Sequence, residues 1–191
     1  MSAELLVDPA VSAAKFDEQI RIFRTNAALY RQRGCWLLEA TFPHALFVFC
    51  SPKTRPGAVI MGVQLNFENF DLWAPSVVFV NPFTGHPFPA GKLPTKMPRA
   101  VPGPGPMGFV PQDLIAQYEG TNALPFLCLA GVREYHNHPA HTGDSWLLHR
   151  DQPEGQMAYL LDTILKYAVE PIDGFQIGMQ IMGLNQQQIP T

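Results

Sequence analysis

Four of the six histidines, His136, His138, His141 and His149, fall within fourteen residues, with Cys128, Glu134 and Asp144 beside them. Neutral imidazole, thiolate and carboxylate are the side chains that bind zinc and similar divalent metals. In an extended segment Glu134, His136 and His138 point to one side, because successive side chains alternate. Pro139 biases His138 toward an extended conformation. Ala140 to Gly143 can then turn the chain and return His141 to the same side. Gly131 offers a place to bend and bring Cys128 in. The candidate metal ligands are therefore Cys128, Glu134, His136, His138 and His141, with Zn2+ as the expected ion. Asp144 and His149 are candidates for the outer partners that fix ligand tautomers. Cys128 has a second reading, as a nucleophile whose pKa is lowered by a nearby imidazolium or metal. A lone histidine in a loop would carry no such meaning. Four beside a thiol and a carboxylate do.

The remaining candidates read as structural. Cys35 and Cys50 sit inside apolar, strand-like runs, where free cysteine behaves as a small hydrophobe. His44 follows Pro43 at a turn, and His86 precedes Pro87 just after a predicted strand.

The elements that must position the cluster follow from pattern. Asp8-Pro9 is a helix start, a capping carboxylate followed by proline at the first helical position. Phe16, Ile20, Phe23, Ala27 and Tyr30 recur at spacings of three and four, one apolar helix face that ends at Gly34. Cys35 to Phe42 and Ala45 to Cys50 read as strands, and Ser51 to Gly57 as a turn. From Val59 to Phe67 apolar residues alternate with Gln64 and Asn66, a strand with one buried face. Ser76 to Val80 is a fourth strand, entered through Ala74-Pro75. The expected fold is α+β, with an N-terminal helix and a four-stranded antiparallel meander. Asn81 to Pro111 carries nine prolines and five glycines. Proline removes backbone donors, so this is a flap or lid and not a central strand or helix interior. One or two helical turns are expected over Pro111 to Tyr118, and a helix over Glu154 to Ala168 with Met157, Leu161, Ile164 and Ala168 on one face. Phe175, Ile177, Met179 and Ile181 alternate as a last strand would, before a frayed glutamine-rich end.

Composition excludes several classes. The chain has 191 residues, 47% of them hydrophobic, and a formal charge of −3. That fits one folded domain, here 1–191 with its flap at 81–111. No basic run suggests nucleic acid, and no apolar run spans a bilayer. Met1 to Glu4 lacks the positive start of a signal peptide. Three distant thiols do not make a secreted disulfide framework, so the cytoplasm is the expected compartment.

Two resemblances rest on these residues. Cys128, Glu134 and the histidines from His136 to His141 resemble the predicted metal-binding Cys-Glu-His-His family, which accompanies ubiquitin-like proteins, activating enzymes and deubiquitinase-like peptidases in bacterial operons. That likeness implies Cys128 and Glu134 as ligands, while His136, His138 and His141 compete for the other two places. The order of elements also looks like a ubiquitin-conjugating enzyme. Residues 9 to 30 match its first helix, the strands to Val80 its meander, His86-Pro87 its His-Pro turn, and Cys128-Leu129 its catalytic cysteine. Trp146 and the helix from Glu154 complete the order. Phe88 stands where that family has an oxyanion-stabilising Asn, the flap is longer, and the histidine cluster is additional.

The resemblances imply a protein of a bacterial ubiquitin-like modification pathway. Cys128 would take the modifier's C-terminal acyl group from an activating enzyme as a thioester, so the expected partners are those two proteins. Two rival expectations are a zinc-dependent hydrolase with Glu134 as base and a zinc-pinned adaptor without catalysis.

Overall fold

The computed structural model describes residues 6–55, 57–115 and 119–174. The helix predicted at the N-terminus forms as two pieces, α1 (Pro9–Thr25) and α2 (Ala27–Arg33). Asp8 caps α1, its carboxylate accepting from the Ala10 N–H at 2.9 Å. Asn26 interrupts the run by turning its side-chain amide back on the Ile22 carbonyl, a local bond that competes with helix continuation. Gly34 closes α2 in the left-handed conformation, φ 97°. An added Cβ there would lie 2.0 Å from the Cys50 carbonyl oxygen, so both conformation and space require glycine.

The meander is present as predicted. Strands β1 (Cys35–Thr41), β2 (His44–Ser51), β3 (Ala58–Asn66) and β4 (Ser76–Val80) pair in sequence order, all antiparallel. Register explains the buried face. Ala45 pairs with Leu65, Phe47 with Val63 and Phe49 with Met61. Val63 pairs in turn with Phe79, and Leu65 with Val77. All of these are buried, and period-two alternation puts them on one side of the sheet. Phe16, Ile20 and Phe23 of α1 belong to the same core. Phe23 meets Phe47 edge-on at 5.1 Å, and Phe16 meets Phe67 at 5.2 Å. Each fully buried side chain of this size contributes about 1.5–3 kcal/mol.

A helix late in the chain, α4 (Met157–Ile164), packs in the same core and continues as a wider π-type turn over Leu165–Val169. The predicted face Met157, Leu161, Ile164 and Ala168 is buried. The helix starts later than expected, because Pro153–Gly155 form a 3-10 turn. Gln19 of α1 supplies the missing cap. Its side-chain oxygen accepts from the Met157 N–H, and its amide donates to Gln156, both at 2.9 Å.

The proline-rich flap is an ordered ribbon. Strand β5 (Pro98–Pro102) pairs with β6 (Phe109–Asp113). A two-stranded ribbon leaves an unpaired edge on each strand, where a residue without an N–H is tolerated. Met97, Leu114 and Ile115 at its base are buried in the core. Because β6 runs to Asp113, the helical turns expected from Pro111 do not form there. The expected last strand from Phe175 and the frayed end lie outside the described residues. No helix among the described residues is long and apolar enough to cross a membrane.

Gly34→Ala is expected to lower stability by at least about 1–3 kcal/mol, because the backbone must adopt positive φ while its new methyl meets a carbonyl. A urea midpoint that stays at the wild-type value would disprove this.

Candidate functional site

The cluster is positioned by the segment that joins β3 to β4. Arg133 is turned into that segment. Its Nε donates to the Ala74 carbonyl at 3.0 Å and Nη2 to the Glu68 carbonyl at 2.6 Å. The guanidinium also lies 5.3 Å from the centre of the Trp73 ring, a favourable cation–π distance. The Arg133 N–H donates to the Pro75 carbonyl. Burial pulls the Arg133 pKa down, while Glu134 and Glu68 oppose the shift. Next in sequence, the Glu134 carboxylate accepts from the Ser76 hydroxyl and, at 3.1 Å, from the Val77 N–H at the start of β4. A second tie lies downstream, where Trp146 donates from Nε1 to the Asp71 carbonyl at 2.9 Å.

These anchors begin a short helix, α3 (Arg133–Asn137). The expectation of an extended segment from Glu134 to His138 is thereby corrected. On a helix, residues two apart point to nearly opposite sides, so Glu134 and His136 diverge. The helix wins over the strand because five bonds from Arg133 and Glu134 hold its first turn against β4 and the segment before it. Pro139 acts as predicted, and His138 is extended at φ −82°, ψ 132°. Gly131 serves close approach, since an added Cβ would lie 2.4 Å from the Glu154 carbonyl.

Cys128 precedes α3 on an irregular stretch, its N–H donating to the Leu114 carbonyl at 2.8 Å. Its Sγ lies 3.5 Å from His141 Nε2. His138 sits beside this pair, its ring centre 5.7 Å from that of His141 and 5.2 Å from that of Phe126. The structure thus brings Cys128, His138 and His141 together, and turns Glu134 and His136 elsewhere. His136 has Nδ1 2.8 Å from the Asp144 carbonyl and Nε2 2.6 Å from the Ala130 carbonyl. Each of its ring nitrogens therefore faces an acceptor.

Asp144 is the other centre of the cluster. Its Oδ2 accepts from the Tyr135 hydroxyl and its Oδ1 from His149 Nε2, both at 2.6 Å. These two bonds hold the Asp144 pKa below the usual carboxylate value. The Tyr135 hydroxyl is pushed up to about 12, chiefly by its bond to Asp144. The Tyr135 ring stacks on His141 with centroids 3.8 Å apart. Sequence reasoning missed Arg133, Tyr135 and Ser76. Arg133 and Tyr135 flank Glu134 in the chain, and a helical reading of that stretch would have singled them out.

Electrostatics make the Cys128–His141 pair neutral at rest. Burial raises the Cys128 thiol, and the positive charge of Arg99 on β5 offsets part of that rise. The lowering expected from a nearby imidazolium or metal is thus not supplied by burial and Arg99, which together leave the thiol raised. Burial and the neighbouring His138 lower the His141 pKa, with Asp144 opposing. A neutral imidazole facing a protonated thiol is an acceptor poised for that proton. His141 borders an open cleft of about 560 Å3 that also includes Leu72, Trp73 and Leu147. Leu114, whose carbonyl accepts from the Cys128 N–H, and Leu129, next in sequence, line a separate cleft of about 370 Å3 with Arg99 and Lys166. Cys35 is buried with its thiol pushed up to about 12, as a core cysteine should be, and Cys50 is half-buried. His44 and His86 lie in exposed positions on other elements.

The five candidate ligands do not converge as a metal set. The Glu134 carboxylate is engaged by Ser76 and Val77, and both His136 nitrogens by carbonyls. Among the described residues, no group of three or more His, Cys, Asp and Glu side chains is arranged to hold a metal ion.

Residues 7–172 match the model of the Y4jH-like (Y4jH) family. A relative from Sinorhizobium fredii (strain NBRC 101917 / NGR234), described as the uncharacterized protein y4jH, is 46% identical over 185 residues. That alignment covers 92% of this chain and 90% of the relative. The family match therefore runs from the start of α1 past the end of α4 and includes the whole cluster.

Two outcomes test this site. Glu134→Ala strips two acceptor bonds from the start of β4 and is expected to destabilise the fold by about 1–3 kcal/mol. Because Glu134 reaches the sulfur only through α3, alkylation of Cys128 by iodoacetamide should slow by no more than roughly tenfold. A stable variant with a dead thiol would reverse that assignment. Separately, burial disfavours the thiolate, so the alkylation rate of Cys128, followed by peptide mass spectrometry, should rise with pH through a midpoint above the ordinary thiol value of about 8.5. A midpoint below it would show that an activating charge dominates instead.

Proposed function

For this chain, which belongs to the Y4jH-like family, we propose a role as a ubiquitin-conjugating-enzyme-like carrier in a bacterial ubiquitin-like modification pathway. Cys128 accepts the modifier's C-terminal acyl group, and His141 handles the proton. The observation that carries this reading is the 3.5 Å approach of Cys128 Sγ to His141 Nε2. Such a thiol–imidazole pair is the arrangement that nucleophilic acyl transfer needs. It lies after a helix, a four-stranded meander and a flap, the order that suggested a conjugating enzyme.

The step balances as a transthioesterification. His141 Nε2 takes the Cys128 proton as the sulfur attacks the modifier's carbonyl carbon, held as a thioester on the activating enzyme. A new C–S bond forms to Cys128, and the C–S bond to the activating enzyme breaks. The departing thiolate recovers the proton from the imidazolium. Because the resting pair is neutral, proton removal is coupled to attack. Arg99 offers positive charge to the thiolate as it develops. The open cleft that His141 borders gives an acyl chain room to approach.

The hydrolase reading assigns Glu134 the base, but that carboxylate faces Ser76 and Val77. Acyl transfer needs only Cys128 and His141, which do meet.

Mixing the protein with the modifier, its activating enzyme and ATP is expected to yield a reductant-sensitive adduct that is absent in Cys128→Ala. His141→Gln should slow adduct formation by roughly 10²-fold or more, the usual loss on removing a general base. The proposal fails if no adduct forms while the activating enzyme itself is demonstrably charged.

A further inference from the structure

His141 comes from a single 3-10 turn, Pro139–His141, on the surface of the molecule. Its ring is turned so that Nε2 meets the Cys128 sulfur. Among the contacts that restrict the ring is Tyr135, which covers one face of the imidazole at 3.8 Å and 23° from parallel.

We propose that Asp144 is the positioning residue of the thiol–imidazole pair: it tethers the Tyr135 hydroxyl so that the phenol ring lies flat on His141 and keeps Nε2 aimed at Cys128. This rests on the reading that Cys128 and His141 react together. Four links support it. Tyr135 projects from α3, whose first turn is pinned to Glu68, Ala74, Ser76 and Val77. Its hydroxyl reaches Asp144 Oδ2 at 2.6 Å. The second carboxylate oxygen is held by His149 Nε2 at 2.6 Å, so the acid cannot swing away without losing that partner. The Asp144 N–H also donates to the His141 carbonyl at 3.1 Å, which joins the tether to the backbone of the turn it controls.

Both ends of this chain of contacts lead back to the segment between β3 and β4. One end runs through Arg133 and Glu134. The other runs from His149 through its turn to Trp146, which is bonded to Asp71. Tyr135 is thereby fixed from two directions, and the imidazole under it inherits that order. A misplaced base loses much of its effect, since displacement of about 1 Å at a reacting group can cost 10²-fold.

The test uses the full chain at one fixed pH, with two readouts that do not involve the modifier. In NMR spectra, the His141 ring protons, assigned through their loss in His141→Gln, should be shifted upfield by the stacked phenol. Asp144→Ala should move them toward the position of an unstacked histidine and should slow Cys128 alkylation by roughly tenfold. Tyr135→Phe keeps the ring but loses the tether, and should give a smaller change of the same sign. Asp144→Asn, which retains an acceptor for the Tyr135 hydroxyl, should restore part of both signals. The proposal is overturned if Asp144→Ala leaves the His141 shift in place, or if the shift moves while alkylation keeps its wild-type rate. A wild-type protein with a stacked His141 and no thioester adduct would sink the transfer function and leave the positioning role standing.

Discussion

The segment between β3 and β4 is the constraint on which the site depends. It offers backbone carbonyls at Glu68, Asp71, Ala74 and Pro75, and the later half of the chain binds them through Arg133 and Trp146. Burying a guanidinium is costly unless its donors are satisfied. Here two carbonyls and an aromatic face satisfy it, so the arginine accepts one orientation. Glu134 adds the reverse polarity, presenting acceptors to the donors at the start of β4. The two residues lock a five-residue helix that could not persist by itself.

From that lock the chemistry follows in order. The helix points Tyr135 at His141, His138 follows as an extended pre-proline residue, and Pro139–His141 turns the chain back. Cys128 arrives from the other side, tied to Leu114 at the base of the flap. The flap is therefore part of the site. Its buried base, Met97, Leu114 and Ile115, holds the cysteine's neighbour, and its strand β5 carries Arg99, a cation whose charge acts on the thiol. The outcome is a thiol that rests protonated in a half-buried position. Such a thiol gains nucleophilicity from a base at the moment of reaction and stays less exposed to adventitious chemistry between reactions.

Much of the scaffold was legible in the chain. Period-two runs gave the strands, because β residues that bury one face must alternate. Spacings of three and four placed the faces of α1 and α4. The Asp8-Pro9 start and the Gly34 stop were readable because caps depend on local chemistry. Errors arose where distant groups intervened. Asn26 broke a continuous apolar face, and Gln19 moved the start of α4. Prolines in the flap argued correctly against a central strand but hid a ribbon with two free edges. Arg133 and Tyr135 were passed over because their roles exist only against partners 50 or more residues away in one case, and against a returning turn in the other.

The sequence by itself determined that a thiol and several imidazoles would share one short stretch, and that a helix and a four-stranded antiparallel sheet would support it. Those facts depend on residue type and periodicity, which act locally. Which imidazole meets the sulfur was decided only in three dimensions. Long-range bonds from Arg133 and Glu134 replaced an expected strand with a helix, and a change of period from two to 3.6 redirected every side chain that followed. Glu134 became a tie to β4, His136 turned to backbone carbonyls, and His141 was left facing Cys128.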